Sequence, residues 1–295
     1  MSSPSSPSSP SREPQKAAVE HFNSSAAQYE RSTGGCTREL ARDLLNLQAL
    51  KSVTFPDSKV LDNACGTAIV AEEILKRCKE NGTAAPTITA VDAAPNMIYL
   101  ARAKFEDAPV TDKLSFAAMP GEKLDFPDNS FTHSITNLGI LFFSDGEAGA
   151  KEIYRTLAPG GVAIVTTWAE LGYLTRVIHP AQNLIRPCDP TFKIPIPPVW
   201  FKPDYVEERM REGGFTKVEM TEKTVHYGAP TVDDLTQLLV TSFQTLYMDW
   251  PEHERNKFIK TVGNLVKKTS SSYTMSDGQE GVGIPMRAIV AVCYK

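Results

Sequence analysis

The segment from residue 59 to residue 82, KVLDNACGTAIVAEEILKRCKENG, constrains the fold more than any other part of the chain. A short apolar run, VLDN, ends at a turn containing Gly66. An amphipathic stretch of helical spacing follows and stops at Asn81-Gly82, a pair that readily leaves the helix with a left-handed residue. This strand, turn and helix recurs: TITAVDA is followed by PNMIYLARAKFED, with Pro95 in the first helical turn. LSFAAM and FTHSITN then read as strands, a helix runs into YRTLAPGG, and GVAIVTTW is a further strand. Strands alternating with helices imply a parallel sheet covered on both faces and joined by right-handed crossovers.

Beyond Trp168 the pattern changes. One helix is expected around residues 173–185, and the run RPCDPTFKIPIPPVW holds too many prolines for a regular helix or a central strand. Helices over 204–212, 232–247 and 251–267 are expected, with strands near Val218 and over MRAIVAVCYK that close the sheet as an antiparallel pair. Before the regular region, helices are expected over 16–29 and 37–50. The organisation implied is a Ser/Pro-rich tail, residues 1–14, too poor in apolar side chains to order. A single domain over 15–295 follows, in which 15–52 supply N-terminal helices and 169–202 with 231–270 form a cap over the substrate.

Composition removes several function classes. With 31 basic against 35 acidic side chains, a net charge of −4 offers no field to collect nucleic acid. No apolar run is long enough to span a bilayer and no leader is evident, so a cytoplasmic protein without a membrane partner is expected. The five cysteines, Cys36, Cys65, Cys78, Cys188 and Cys293, are scattered without ligand spacing. Reduced thiols and no metal site are therefore expected.

In an open parallel sheet, ligands bind beyond the carboxyl ends of the strands where strand order reverses. The turn Asp62-Asn63-Ala64-Cys65-Gly66-Thr67 sits at such a point, and free backbone N–H groups at the start of its helix suit a carboxylate. Asp92 ends the second strand, where a carboxylate accepts hydrogen bonds from the paired hydroxyls of a ribose. Together these describe a nucleoside bearing an amino-acid tail. Dinucleotide binding would call for G-x-G-x-x-G, and this turn has one glycine; no GxxxxGK[ST] loop occurs.

The stretch Asp62 to Thr67, Asp92, MPGEKLDFPDNSF and RTLAPGGVAIVTTW resemble class I S-adenosylmethionine (SAM)-dependent methyltransferases of the ubiquinone/menaquinone-biosynthesis type. LDNACGTA and Thr166-Thr167-Trp168 are closer to fungal secondary-metabolite methyltransferases such as the gliotoxin thiol methyltransferase. The resemblance implies a seven-strand, Rossmann-like α/β fold with SAM as cofactor and a small-molecule acceptor. It places Asp62, Ala64 and Gly66 at the methionine end, Asp92 and Ala93 at the ribose, and Met97, Met119 and Pro120 about the adenine. Asn137 and Leu138 come under the sulfonium, and Tyr29 folds over the cofactor. Two places depart from the family: near position 120, where an acidic residue often binds the adenine amino group, Met119-Pro120-Gly121 offers only backbone and Glu122 comes later, and Ala68 stands where glycine is usual.

Trp168, Phe192, Trp200 and Phe201 suit an apolar acceptor pocket. His179 and His226 are candidate bases without an evident partner, and His133, inside strand four, reads as structural. No catalytic residue is assigned. The expected activity is methyl transfer to sulfur or oxygen of a secondary metabolite; the rival is a SAM-fold binding or regulatory protein, or a SAM-dependent cyclase, that transfers no methyl group.

Overall fold

The structure, a computed structural model, describes residues 19–24, 26, 29–108 and 112–295. The expected disordered tail, residues 1–14, lies outside the described residues.

Eight strands form one sheet in the order β3-β2-β1-β4-β5-β8-β6, with β7 paired to β8. They are β1 (Lys59–Asn63), β2 (Thr87–Asp92), β3 (Leu114–Ala118), β4 (Phe131–Thr136), β5 (Leu157–Glu170), β6 (Lys217–Ala229), β7 (Ser271–Thr274) and β8 (Glu280–Tyr294). β1 to β5 run parallel, and β8 inserts antiparallel between β5 and β6. The antiparallel closure is as expected, and β7 is an extra strand the sequence reading missed. Its four residues, SSYT, are too few for alternation to stand out, and antiparallel pairing to residues 280–283 of β8 creates it.

The helices are α1 (Tyr29–Ser32), α2 (Cys36–Leu44), α3 (Ile69–Asn81), α4 (Pro95–Lys104), α5 (Gly146–Thr156), α6 (His179–Ile185), α7 (Pro203–Glu212), α8 (Val232–Ser242), α9 (Gln244–Tyr247) and α10 (Glu252–Thr269). The strands of the parallel half read as apolar runs because helices cover both faces. Reversal of order beside β1 opens a crevice at its carboxyl end.

Of the two expected N-terminal helices, the second is shorter, α2 ending at Leu44 ahead of a separate 3-10 turn at Gln48–Leu50; within the first, residues 19–24 are helical and 16–18 lie outside the described residues. Gly34 and Gly35 both take left-handed backbone and break the chain between α1 and α2. Gly34 is also pressed against β6, where a Cβ would stand 2.9 Å from the nitrogen of Gly228. α2 buries Cys36, Leu40, Ala41 and Leu44 against α3 and β6; each fully buried leucine contributes about 2 kcal/mol.

The helix expected over 173–185 is divided. Leu174–Ile178 form a π-helical turn leading into α6, whose second residue is Pro180. Proline has no N–H to donate back, and the wider turn accommodates the missing bond. The 171–202 stretch packs against α8 to α10. Arg186 pairs with Glu254 at 2.7 Å and lies over the Trp250 ring, while Phe243 meets both Tyr173 and Phe192. The two segments expected to cap the substrate therefore share one apolar interior.

Candidate functional site

At the carboxyl end of β1 the chain turns through three left-handed residues, Ala64 (φ 54°), Gly66 (φ 54°) and Ala68 (φ 60°), before α3 begins. Alanine in this region is strained by about 1 kcal/mol. A fourth left-handed residue, Leu138 (φ 58°), follows β4 on the neighbouring strand end. These strained residues gather where two adjacent strands end, and Ala64, Gly66 and Leu138 line one cavity.

The turn is held by two carboxylates. Asp92 accepts the N–H of Gly66 at 2.9 Å and that of Ala94 at 2.8 Å, one through each oxygen. Asp62 accepts the N–H of Ala71 at 3.1 Å. The sequence reading left the N–H groups of this turn free for a ligand carboxylate; the protein's own aspartates take two of them. A carboxylate has about four acceptor positions, so Asp92 keeps capacity for a ligand's hydroxyls. Burial pushes the Asp62 carboxyl up to about 7, against the pull of the Ala71 N–H, and burial also raises Asp92.

Of the residues expected at a cofactor, Tyr29, Ala64, Gly66, Asp92, Ala93, Met97, Asn137 and Leu138 line the cavity. The Tyr29 ring lies over Gly66, 3.7 Å from where a Cβ would stand, and burial pushes its phenol upward. Met97 packs against Ala94, Phe22 and Tyr29. Asn137 is tied up structurally: its Nδ2 donates to the carbonyl of Thr37 and its Oδ1 accepts from Thr166. Asp62 lies behind the cavity wall, 1% exposed. Met119 packs beneath the sheet with Leu61, Val91, Leu124 and Phe131, and neither it nor Pro120 is among the lining residues. Gly121 and Glu122 stand there instead.

Val19, Phe22, Phe142 and Phe143 also line the cavity and were not singled out from the sequence. Phe22 meets Phe142 edge to face at 4.9 Å and Tyr29 at 6.0 Å, so the three rings form one aromatic wall of the cavity. The adjacent phenylalanines so soon after Asn137-Leu138-Gly139 were the available signal.

Residues expected at the acceptor lie elsewhere. Trp168 is buried on β5 beside β8. Trp200 packs edge to face on Tyr205 and lies against Gly146, away from the cavity. His179 binds the carbonyl of Phe192 at 2.9 Å. His226 has a partner that spacing could not reveal: Glu39, far away in sequence, lies 2.9 Å from its Nδ1 and accepts its backbone N–H. Tyr273 of β7 stacks on the same ring. His133 sits between Ser52 and Thr132, and burial holds it down at about 4, consistent with a structural role. Among the described residues no cluster of metal-ligating side chains occurs, and no helix is long and apolar enough to cross a membrane.

The strand order, the reversal at β1 and the cavity there define a Rossmann-like α/β fold. Residues 61–165 match the family model described as a methyltransferase domain. Two curated relatives and one solved structure place the chain further. The ubiquinone/menaquinone biosynthesis C-methyltransferase UbiE of Geotalea daltonii is 31% identical over 40% of this chain and 48% of its own. The chain thus spans about half the length of the first curated relatives it matches. Methyltransferase ktnA of Aspergillus niger is 23% identical across 95% of this chain and 98% of its own. The [4+2]-cyclase SpnF superposes with a TM-score of 0.55 at 17% identity, covering 99% of this chain and 97% of that one. The chain is thus similar to methyltransferases, and SAM is the cofactor that this similarity implies.

The lining residues fit that group. Asp92 offers acceptors for ribose hydroxyls, and Gly121 and Gly139 leave the walls bare where a Cβ would collide with Phe143 or Ala64. Met97 and Phe142 supply apolar surface.

Proposed function

We propose that the protein transfers a methyl group from SAM to a heteroatom of a small-molecule secondary metabolite, with sulfur preferred over oxygen. The observation that carries this reading is Asp92, fixed by two backbone N–H groups at the mouth of a cavity beside a turn with a single glycine. That arrangement suits a ribose without a pyrophosphate.

When bound, SAM supplies an electrophilic methyl group on a sulfonium. Asp92 holds the ribose, Met97 and the Gly121 backbone border the purine, and Tyr29 lies across the turn with a ring face that favours positive charge. Displacement needs the acceptor and methyl held in line, and most of the barrier reduction comes from that positioning. The ionisable side chains lining the cavity among the described residues are Tyr29, Asp92 and Glu122. Burial keeps the Tyr29 phenol protonated, Asp92 is engaged by the turn, and Glu122 accepts from Ser144. An acceptor that ionises by itself near neutral pH demands least of such a site, which favours a thiol over a phenol. The net charge of −4 favours a small molecule over nucleic acid.

Incubation with methyl-labelled SAM and a matched panel of small thiols and phenols tests the reading. Label should pass to the thiols first. Binding of SAM without label transfer to any acceptor would favour a cyclase or regulatory protein, and absence of SAM or S-adenosylhomocysteine binding in calorimetry would sink the reading altogether.

A further inference from the structure

Asn63, the last residue of β1, is completely buried, and neither its Oδ1 nor its Nδ2 has a hydrogen-bond partner. The other buried side-chain atoms of this kind among the described residues, apart from Nε of Arg209, are the hydroxyls of Ser134, Thr136 and Thr167. Leu61 pairs with Ser134, and Thr136 with Val165. Strand alternation then puts Asn63, Ser134, Thr136 and Thr167 on a single face, across the carboxyl ends of β1, β4 and β5. A hydroxyl can rotate to find a partner. A carboxamide carries an acceptor and two donors, and leaving all of them unpaired destabilises the free protein.

What separates Asn63 from the cavity is a glycine. A Cβ on Gly121 would stand 2.6 Å from Asn63 Oδ1 and 2.3 Å from Cζ of Phe143, and Gly121 itself lines the cavity. The side chain nearest Gly121 besides Asn63 is Phe143, a cavity-lining ring that also lies close against Gly149. The position before Gly121 is Pro120, which has no side-chain acceptor to offer a purine.

Resting on the SAM reading, the geometry points to Asn63 as the residue that reads the adenine edge of the cofactor, its carboxamide gaining partners when Phe143 moves aside on binding. The adenine edge presents an amino donor beside a ring-nitrogen acceptor, and a carboxamide is the side chain that matches both at once. The unpartnered amide thus weakens the free protein and strengthens the complex.

Titration calorimetry of wild type and Asn63→Val, with S-adenosylhomocysteine and with its analogue lacking the 6-amino group, tests this, alongside thermal melts without ligand. Wild type should bind the analogue about tenfold more weakly than S-adenosylhomocysteine. Asn63→Val should lose about tenfold in affinity for S-adenosylhomocysteine, bind both compounds within about twofold, and melt no lower than wild type. Equal binding of S-adenosylhomocysteine by the two proteins, or a variant that still discriminates the amino group, would overturn the inference while leaving the cofactor reading intact. Failure of wild type to bind S-adenosylhomocysteine at all would strike the cofactor reading instead. Should Asn63→Val not fold, the wild-type comparison decides alone: equal affinity for the two compounds overturns the assignment.

Discussion

The rim of the cavity and the segments packed around α2, α6 and α8 to α10 are held by different means. At the rim, carboxylates of the sheet, Asp62 and Asp92, hold backbone N–H groups of neighbouring turns, so a few residues at fixed positions set the geometry. In those segments long-range side-chain pairs do the holding. Arg38 on α2 reaches Glu30, Glu72 and Glu73 at 2.7 to 2.8 Å, Glu39 holds His226, and Tyr173 packs on Tyr227 at 4.6 Å. Damage at the rim should therefore show in ligand affinity, and damage in those segments in stability.

The sharpest way to break this division is Asp92→Ala. It removes the proposed ribose acceptor and frees the N–H groups of Gly66 and Ala94, and should weaken S-adenosylhomocysteine binding about a hundredfold by calorimetry. A loss below about threefold would put the ligand elsewhere. Arg38→Met tests the other side: it removes the partner that Glu73, 5% exposed, shares with Arg42, and should cost about 2 kcal/mol in urea unfolding while affinity changes less.

Acid titration separates rim from foot of the sheet by sign. The folded pKa of His133 falls from 6.5 to about 4, so the stability attached to its neutral form is present above pH 6.5 and lost as pH falls toward 4. Asp62 runs the other way. Its pKa is raised from 3.8 to about 7, so its contribution is greatest at low pH and declines as pH rises through that interval. Each slope is at most about 1.4 kcal/mol per pH unit. His133→Gln should abolish the first slope and Asp62→Asn the second, measured as unfolding free energy against pH. Retention of both slopes in both variants would show that neither group titrates as described.

Smaller still, Ala68→Gly relieves a left-handed alanine at the rim and should raise stability by roughly 0.5 to 1 kcal/mol in the same unfolding assay. Smallest in energetic terms, a thiol reagent should label native protein at Cys188 alone, the exposed one among five cysteines.

The rim was legible because its chemistry is local. LDNACGT and Asp92 lie at ends of strands that hydrophobic patterning locates, and β1 pairs directly with β2. The departure at Ala68 was visible as well, though its left-handed backbone was not. Glu39 and His226 were both visible as residues, but nothing in their spacing joins them. Trp200 looked like a pocket residue because it is aromatic in a proline-rich run; packing on Tyr205 and Gly146 makes it core.

The amino-acid sequence alone determined the alternation of strands and helices, the crevice beside β1 and the residues at its edge, since period and turn chemistry act over a few neighbouring positions. Only the tertiary structure decided which aromatic rings close the cavity, which histidines already have partners, and that Asn63 is buried without one. Those depend on chain segments brought together from opposite ends of the molecule, and hydrogen-bond satisfaction is a property of the packed interior rather than of any window of sequence.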